Sequence, residues 1–278
     1  MRKTIIGIAS RIFPGLIASY AYNQLTNPQI KKLRSNELQT LEKAKKESFH
    51  FKGFDIRLYT WEGGDKKVLL IHGWEGQAGN FSDLVVRLID NGYTVYGFDG
   101  PSHGFSSRGK TSLFEFTELV GVLIRKFEVH NLVSHSFGGV ATTYALYTNP
   151  DLAIHKYALL TTPDKFIERI DDVANQVGIS AQVKDKLINK LEDETKANVK
   201  GLNVSEFVQS INVKEAIIIH DKDDKVIPIS RSLNVHKNWQ ISRFKEITGT
   251  GHFRILRTDI VIDEVVQFLN TGSEGNNN

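Results

Sequence analysis

The chain alternates between short apolar runs and segments whose apolar residues recur at helical spacing. Short, mainly apolar runs lie at residues 68–71, 93–98, 131–133, 156–160 and 216–219 and are typical of strands buried on both faces. A further strand is predicted at residues 243–247. Helical periodicity appears at residues 80–91, 112–126, 140–147, 230–237 and 259–269. Strands that alternate with helices predict a mostly parallel, doubly wound α/β sheet covered by helices on both faces.

Three other segments do not show this alternation of strands and helices. Residues 1–46 predict an N-terminal helical segment, and a hairpin turning at Lys52-Gly53 follows. Residues 163–212 contain no buried-strand pattern and predict two or three polar, amphipathic helices inserted above the sheet. The core is therefore expected to comprise residues 47–162 and 213–271, and the Gly-, Ser- and Asn-rich tail 272–278 is expected to be disordered.

The apolar stretch of residues 4–22 follows Arg2 and Lys3 and superficially resembles a targeting segment. Arg11 and Pro14 interrupt it, and it is too short and broken for a membrane span. We expect an amphipathic helix that covers one side of the core. A peripheral membrane anchor or an export signal is the alternative.

The amino-acid composition excludes or disfavours several functions. The 278 residues carry a net charge of only +3 without a long basic block, which argues against nucleic-acid binding. The absence of cysteine excludes disulfides, thiolate nucleophiles and cysteine-ligated metals, and suits a cytoplasmic location.

Ser136 is the candidate nucleophile. A predicted strand leads into Ser134-His135-Ser136-Phe137-Gly138, and a predicted helix follows. A serine on such a sharp turn projects its hydroxyl above the carboxyl edge of the sheet, and the strained turn requires small residues two positions before and after it. The alternative is an ordinary turn serine that caps the next helix. His135 is expected to point away from the site.

His252 is the candidate general base. It follows Gly249 and Gly251 in a predicted flexible loop after the last strand, from which it could reach the serine. The acid that would orient it is less well determined by the residues alone. Asp221, Asp223 and Asp224 all follow a buried strand, and Asp164 is a more remote candidate. The two loop aspartates that do not act as the acid are expected to be solvated.

His72-Gly73-Trp74 follows the first buried strand. The backbone amides of Trp74 and Phe137 are expected to form an oxyanion hole, in which one donor contributes about 3 kcal/mol to the transition state. The alternative is a glycine turn that merely closes the strand. His103 is expected to be structural.

These elements together resemble the α/β-hydrolase superfamily over nearly all of residues 47–270. The matching segments are His72-Gly73-Trp74, Asp99-Gly100-Pro101-x-His103-Gly104-x-Ser106, Ser134-x-Ser136-x-Gly138-Gly139, Asp224-x-x-x-Pro228 and Gly251-His252. The spacing to Pro228 selects Asp224 as the acid, and Ser134 departs from the glycine that the family usually has there. The resemblance implies an eight-stranded sheet, a lid at residues 163–212 and the order nucleophile, acid, histidine.

The implied function is that of a serine esterase acting on a small acyl substrate of short or medium chain, with no metal or organic cofactor. A thioesterase, amidase, carbon–carbon hydrolase or acyltransferase would share the triad, and a non-catalytic binding protein is a further alternative. Because the base works when neutral, activity is expected to fall as the pH drops through about 6 to 7.

Overall fold

An eight-stranded sheet forms the centre of the computed structural model, which describes residues 13–29, 31–195 and 198–271. The strand order is β1-β2-β4-β3-β5-β6-β7-β8. The strands are β1 (Lys45–Phe51), β2 (Phe54–Trp61), β3 (Lys66–Ile71), β4 (Tyr93–Asp99), β5 (Asn131–His135), β6 (Ile154–Leu160), β7 (Val213–Asp221) and β8 (Ser242–Ile247). β2 pairs antiparallel with β1 and β4, and every other pairing is parallel. The predicted fold class is confirmed.

Helices connect the parallel strands. They are α1 (Pro14–Thr26), α2 (Ser35–Glu42), α3 (Ser82–Asp90), α4 (Leu113–Phe127), α5 (Phe137–Thr148), α6 (Phe166–Val177), α7 (Ala181–Thr195), α8 (Val204–Phe207), α9 (Ile229–Asn238), α10 (Gly251–Arg254) and α11 (Asp259–Asn270). Single 3₁₀ turns lie at Ala78–Phe81, Val199–Gly201 and Ile255–Arg257.

Both faces of the sheet are buried, which explains the continuous apolar runs. Successive side chains of a strand point to opposite faces. Along β3, Leu69 and Ile71 accordingly join one apolar cluster, whereas Val68 and Leu70 join another. The first cluster includes the apolar faces of α4 and α5, and the second includes those of α3 and α11. The sheet is thus held rigidly between two helical layers.

The segment between β6 and β7 contains α6, α7 and α8 and no strand. The N-terminal helix α1 packs against it: Ala21 and Tyr22 share a buried apolar cluster with Ile170, Leu187 and further residues of the segment. The expectation that an N-terminal helix covers one side of the core is therefore refined, because its buried contacts are with the inserted helices.

The boundaries of the N-terminal segment also differ from prediction. Residues 1–46 were expected to be helical, but β1 already begins at Lys45. Residues 1–12 and the tail 272–278 lie outside the described residues. Among the helices in the described part of the chain, none has both the length and the apolar character needed to cross a bilayer.

Candidate active site

Ser136 occupies the turn between β5 and α5. Its backbone has φ 54° and ψ −123°, a conformation that side-chain-bearing residues rarely adopt. The Ser136 amide donates a hydrogen bond of 3.0 Å to the Leu160 carbonyl, which ties the turn to the end of β6. The hydroxyl does not cap α5. The turn therefore holds Ser136 in a strained conformation and leaves its hydroxyl free for another role.

The residues around Ser136 are small for a steric reason. A Cβ at Gly138 would lie 2.5 Å from the His72 carbonyl oxygen and 2.6 Å from that of Ile71, so the first turn of α5 can pass β3 only with glycine there. Ser134 is completely buried, and its hydroxyl is 2.8 Å from the Tyr157 hydroxyl. This hydrogen bond explains how serine replaces the first glycine of the motif.

His252 and Asp224 form a buried pair. The Nδ1 atom of His252 lies 2.8 Å from Oδ2 of Asp224, and their side chains are 6% and 0% exposed. Because a carboxylate only accepts, Nδ1 carries the proton and neutral His252 has its lone pair on Nε2. The expectation of a flexible glycine loop is wrong here, since His252 lies in the short helix α10.

The loop after β7 stabilises Asp224 as an anion. Its other oxygen, Oδ1, accepts hydrogen bonds from the amides of Val226 and Ile227 at 2.7 and 2.9 Å. Burial raises the pKa of Asp224, but the hydrogen bond and charge of His252 together with these amides outweigh burial, so the net shift is downward. The carboxylate therefore remains charged at neutral pH and orients His252.

Asp221 was expected to be solvated if it was not the acid, and this is wrong. It is fully buried, and its Oδ2 accepts hydrogen bonds from the Thr250 amide and hydroxyl and from the Gly251 amide, the last two at 2.7 and 2.6 Å. Its Oδ1 accepts from the Asp223 amide at 2.8 Å. Asp221 thus joins the loop that carries Asp224 to the loop that carries His252.

The remaining acid candidates lie apart from His252. Asp223 is exposed, as expected for a solvated loop residue. Asp164 is buried, but its carboxylate accepts hydrogen bonds from the Ser205 amide at 2.9 Å and from Asn234 Nδ2 at 2.6 Å. It therefore ties the two ends of the inserted segment together through α8 and joins that segment to α9.

His135, the residue before Ser136, contacts His252, with 4.9 Å between the centroids of the two rings. Its Nε2 donates a hydrogen bond of 2.9 Å to the main-chain carbonyl of His252. Burial, followed by the neighbouring His252, lowers the pKa of His135 to about 3, so the ring is neutral. This contact was not foreseen, because the two residues are far apart in sequence.

The backbone amides of Trp74 and Phe137 are both unengaged: in the described part of the chain, neither donates a hydrogen bond to the protein. The two rings contact each other edge to face at 5.2 Å between centroids. His72 fixes the preceding turn, since its Nδ1 donates to the Gly73 carbonyl at 2.7 Å and its Nε2 accepts from the Gly100 amide at 2.9 Å. Two free donors beside Ser136 suit the binding of an oxyanion.

The Asp99-to-Ser106 segment is structural. Asp99 is buried and accepts hydrogen bonds from the Ala78 and Phe105 amides, each at 2.8 Å. Nearby, His103 donates through Nδ1 to the Pro101 carbonyl at 2.9 Å, and burial lowers its pKa to about 4. The sequence-based assignment of His103 to a structural role agrees with these contacts.

One cavity of about 680 Å³ contains these groups. Ser136, His252, Trp74 and Phe137 line it. Its other walls come from α1, through Tyr20 and Leu25, and from the inserted helices α6 and α7. Among the residues described, no hydrogen bond joins the Ser136 hydroxyl to His252, which is common in ligand-free sites.

The comparisons with known proteins agree with the fold. Residues 66–198 match the model of the α/β-hydrolase fold family. A curated relative is the pimeloyl-[acyl-carrier protein] methyl ester esterase of Stenotrophomonas maltophilia (strain K279a), which is 30% identical over 109 residues. That match covers 39% of this chain and 40% of the relative, so the chain spans about two fifths of the curated protein's length in the alignment.

Solved structures extend the likeness to most of the chain. Est1E from Butyrivibrio proteoclasticus, solved with ferulic acid bound, has a TM-score of 0.65 at 17% identity and covers 80% of this chain and 97% of its own. The esterase EaEST from Exiguobacterium antarcticum has a TM-score of 0.60 at 16% identity, covering 77% and 96%. The chain has the α/β-hydrolase fold, and the resemblance drawn from its motifs is confirmed.

Proposed function

We propose that this protein of the α/β-hydrolase fold is a serine hydrolase that cleaves carboxylic esters through an acyl-enzyme intermediate. The observation that carries the proposal is the buried His252–Asp224 pair at 2.8 Å, whose histidine lines one cavity with Ser136, a residue in a strained conformation whose hydroxyl does not cap α5. An α/β-hydrolase fold alone would not specify a reaction. A buried carboxylate that fixes a histidine beside a serine is the arrangement that activates a nucleophile.

In the proposed reaction, the Ser136 oxygen attacks the ester carbonyl carbon while Nε2 of His252 accepts the hydroxyl proton. Negative charge develops on the carbonyl oxygen, where the amides of Trp74 and Phe137 donate hydrogen bonds to it. The carbon–oxygen bond to the alcohol then breaks, and His252 returns the proton to the leaving alcohol. Water repeats the sequence on the acyl-enzyme and releases the acid.

Asp224 keeps the imidazole in the reactive tautomer and stabilises the imidazolium that forms during attack. His135 and Asp221 act as positioning residues, because they hold the backbone on either side of His252 through hydrogen bonds of 2.6 to 2.9 Å. No step requires a metal or an organic cofactor.

We further propose that the inserted helices and α1 form a lid over the cavity. A cavity of about 680 Å³ suits a small acyl substrate of short or medium chain rather than bulk lipid. The curated relative is named as a methyl ester esterase, which favours an ester over an amide or a carbon–carbon bond. The cysteine-free composition favours a cytoplasmic location.

Labelling with a fluorophosphonate, followed by peptide mass spectrometry, tests the nucleophile. We expect the adduct on Ser136 and its loss in Ser136→Ala. Ser112 lines the same cavity, and its hydroxyl is hydrogen-bonded to Glu115, so Ser112→Ala is the matched control and should label normally. Hydrolysis of 4-nitrophenyl butanoate should fall at least about 10³-fold in Ser136→Ala and hardly change in Ser112→Ala. An adduct on another serine in the folded protein would refute the assignment.

A further inference from the structure

The charged residues of the cavity are unequally partnered. Its wall contains four basic side chains, Lys31, Lys165, Arg169 and Arg231, and two carboxylates, Glu75 and Asp172. Both carboxylates are already paired. Asp172 lies 2.7 Å from Arg231, and Glu75 lies 3.5 Å from Lys31. The cavity wall therefore has two basic side chains more than it can neutralise.

The two remaining basic residues are Lys165 and Arg169. Both are exposed, and neither has an ion pair or side-chain hydrogen bond among the described residues. Lys165 immediately precedes α6 and Arg169 lies in its first turn, so both charges lie at the N-terminal end of the helix, and both residues line the cavity. The nearby Glu168 cannot neutralise them fully, because it pairs with Arg231 at 3.0 Å.

This arrangement is unfavourable without a ligand. Two like charges at this spacing repel each other, and the positive end of the 12-residue helix α6 adds to the repulsion. An anion between the two side chains would relieve it and gain two charge-assisted hydrogen bonds. Between these charges and Ser136 the wall is largely apolar, with Phe137, Val140 and Phe166 among its residues.

We propose that Lys165 and Arg169 bind an anionic group of the substrate, so that the preferred substrates are esters with a carboxylate or phosphate away from the scissile bond. The inference rests on the proposed esterase function, and it names the substrate class of that same site. The anionic group lies on either the acyl or the alcohol part of the ester, and in both cases the two basic residues contact it at the solvent-facing side of the cavity.

Two matched pairs of substrates distinguish these positions. Mono(4-nitrophenyl) glutarate against 4-nitrophenyl 4-carbamoylbutanoate, in which an amide replaces the free carboxylate, changes mainly the charge of the acyl part. The carboxylate 4-butanoyloxybenzoate against 4-butanoyloxybenzamide changes only the charge of the alcohol part. We expect the protein to hydrolyse the anionic member of at least one pair with a kcat/KM about fivefold higher, mainly through KM. The preference should weaken between 50 and 500 mM NaCl, because salt screens exposed charges.

The double variant Lys165→Gln/Arg169→Gln should lose this preference, so that its kcat/KM values for the anionic and neutral members of each pair become about equal. Lys186→Gln is the matched control, because Lys186 is an exposed lysine on α7 that does not line the cavity. It should retain the preference. Equal kcat/KM values for both members of both pairs, or a preference that survives the double substitution, would overturn the inference.

A binding measurement separates failure of this inference from failure of the proposed reaction. Trp74 lines the cavity, whereas Trp61 and Trp239 are each 3% exposed, so ligand binding should alter mainly the fluorescence of Trp74. In Ser136→Ala protein, glutarate half-ester should bind about fivefold more tightly than the neutral ester, and the double substitution should abolish the difference. If Ser136→Ala binds the anionic ester selectively but the wild-type protein hydrolyses no ester, the esterase reaction is refuted and the anion site is not. If the wild-type protein hydrolyses esters but neither binding nor hydrolysis favours the anionic ester, the anion site is refuted and the esterase reaction is not.

Discussion

Replacing Ser136 with glycine should stabilise the fold while it abolishes catalysis. Ser136 is held at φ 54° and ψ −123°, where a Cβ atom is strained and glycine is not. Its side chain makes no cap to α5, so removing it sacrifices no hydrogen bond of that helix. The strain belongs to the position and not to the hydroxyl.

The magnitude follows from two opposing contributions. Relief of a strained backbone conformation stabilises by about 1–3 kcal/mol. Glycine loses more conformational entropy on folding, at a cost of about 0.5–1 kcal/mol. We therefore expect Ser136→Gly to raise the free energy of unfolding by about 1 kcal/mol, which corresponds to a rise in Tm of about 2–4 °C for a domain of this size.

The assay is urea and thermal unfolding of the wild-type protein, Ser136→Gly and Ser136→Ala. Alanine is the matched control, because it removes the hydroxyl but keeps the Cβ atom and hence the strain. If glycine and alanine give the same free energy of unfolding, the turn is not strained and the reasoning is wrong. Greater stability of the alanine variant would refute it more strongly.

Further predictions concern the residues around this turn. Asp224→Ala should lower kcat by about 10⁴-fold in ester hydrolysis, because His252 loses the group that fixes its tautomer; a loss below tenfold would remove Asp224 from the mechanism. Gly138→Ala should destabilise the protein by about 2–3 kcal/mol in urea unfolding, because its Cβ would meet the His72 carbonyl oxygen at 2.5 Å; unchanged stability would show that β3 yields easily. Burial lowers the pKa of His103 from 6.5 to about 4 in the folded protein. Between about pH 4 and 6.5 the unfolded chain therefore binds a proton at His103 that the folded protein does not, so the free energy of unfolding falls as the pH drops through this range. Glutamine does not titrate, so the difference in free energy of unfolding between the wild-type protein and His103→Gln should become smaller by about 2 kcal/mol from pH 7 to pH 5. The same difference at both pH values would contradict this prediction.

The centre of the sheet was predictable because its parallel strands, such as β3 and β5, are buried on both faces. β3, for example, contributes alternate residues to two separate apolar clusters, and this leaves a continuous apolar run in the sequence. The close approach of His252 to Asp224 was likewise anticipated, because the carboxyl ends of parallel strands meet at one edge of the sheet. The helical geometry at His252 was not anticipated, since the two glycines that precede it, Gly249 and Gly251, suggest a flexible loop.

The contacts of Asp221 could not be predicted from its neighbours. Its partners Thr250 and Gly251 are 29 and 30 residues away, and a loop aspartate with lysine and aspartate beside it looks solvated. The position of α1 escaped prediction for a similar reason. Its apolar residues indicate that it packs, and the amphipathic pattern of α6 and α7 indicates that they have apolar faces, but neither pattern shows that these faces contact each other.

The packing of α1 on the inserted helices has a consequence for how the protein folds. Tyr22 is synthesised early, yet Ile170, Leu187 and Leu191, which share its buried cluster, emerge about 150 to 170 residues later. The central strands can pair before those contacts form, whereas the cavity wall cannot be completed until they do. Recovery of activity during refolding should therefore lag behind recovery of the sheet's circular dichroism, and the site becomes functional only as the two ends of this long loop of chain meet.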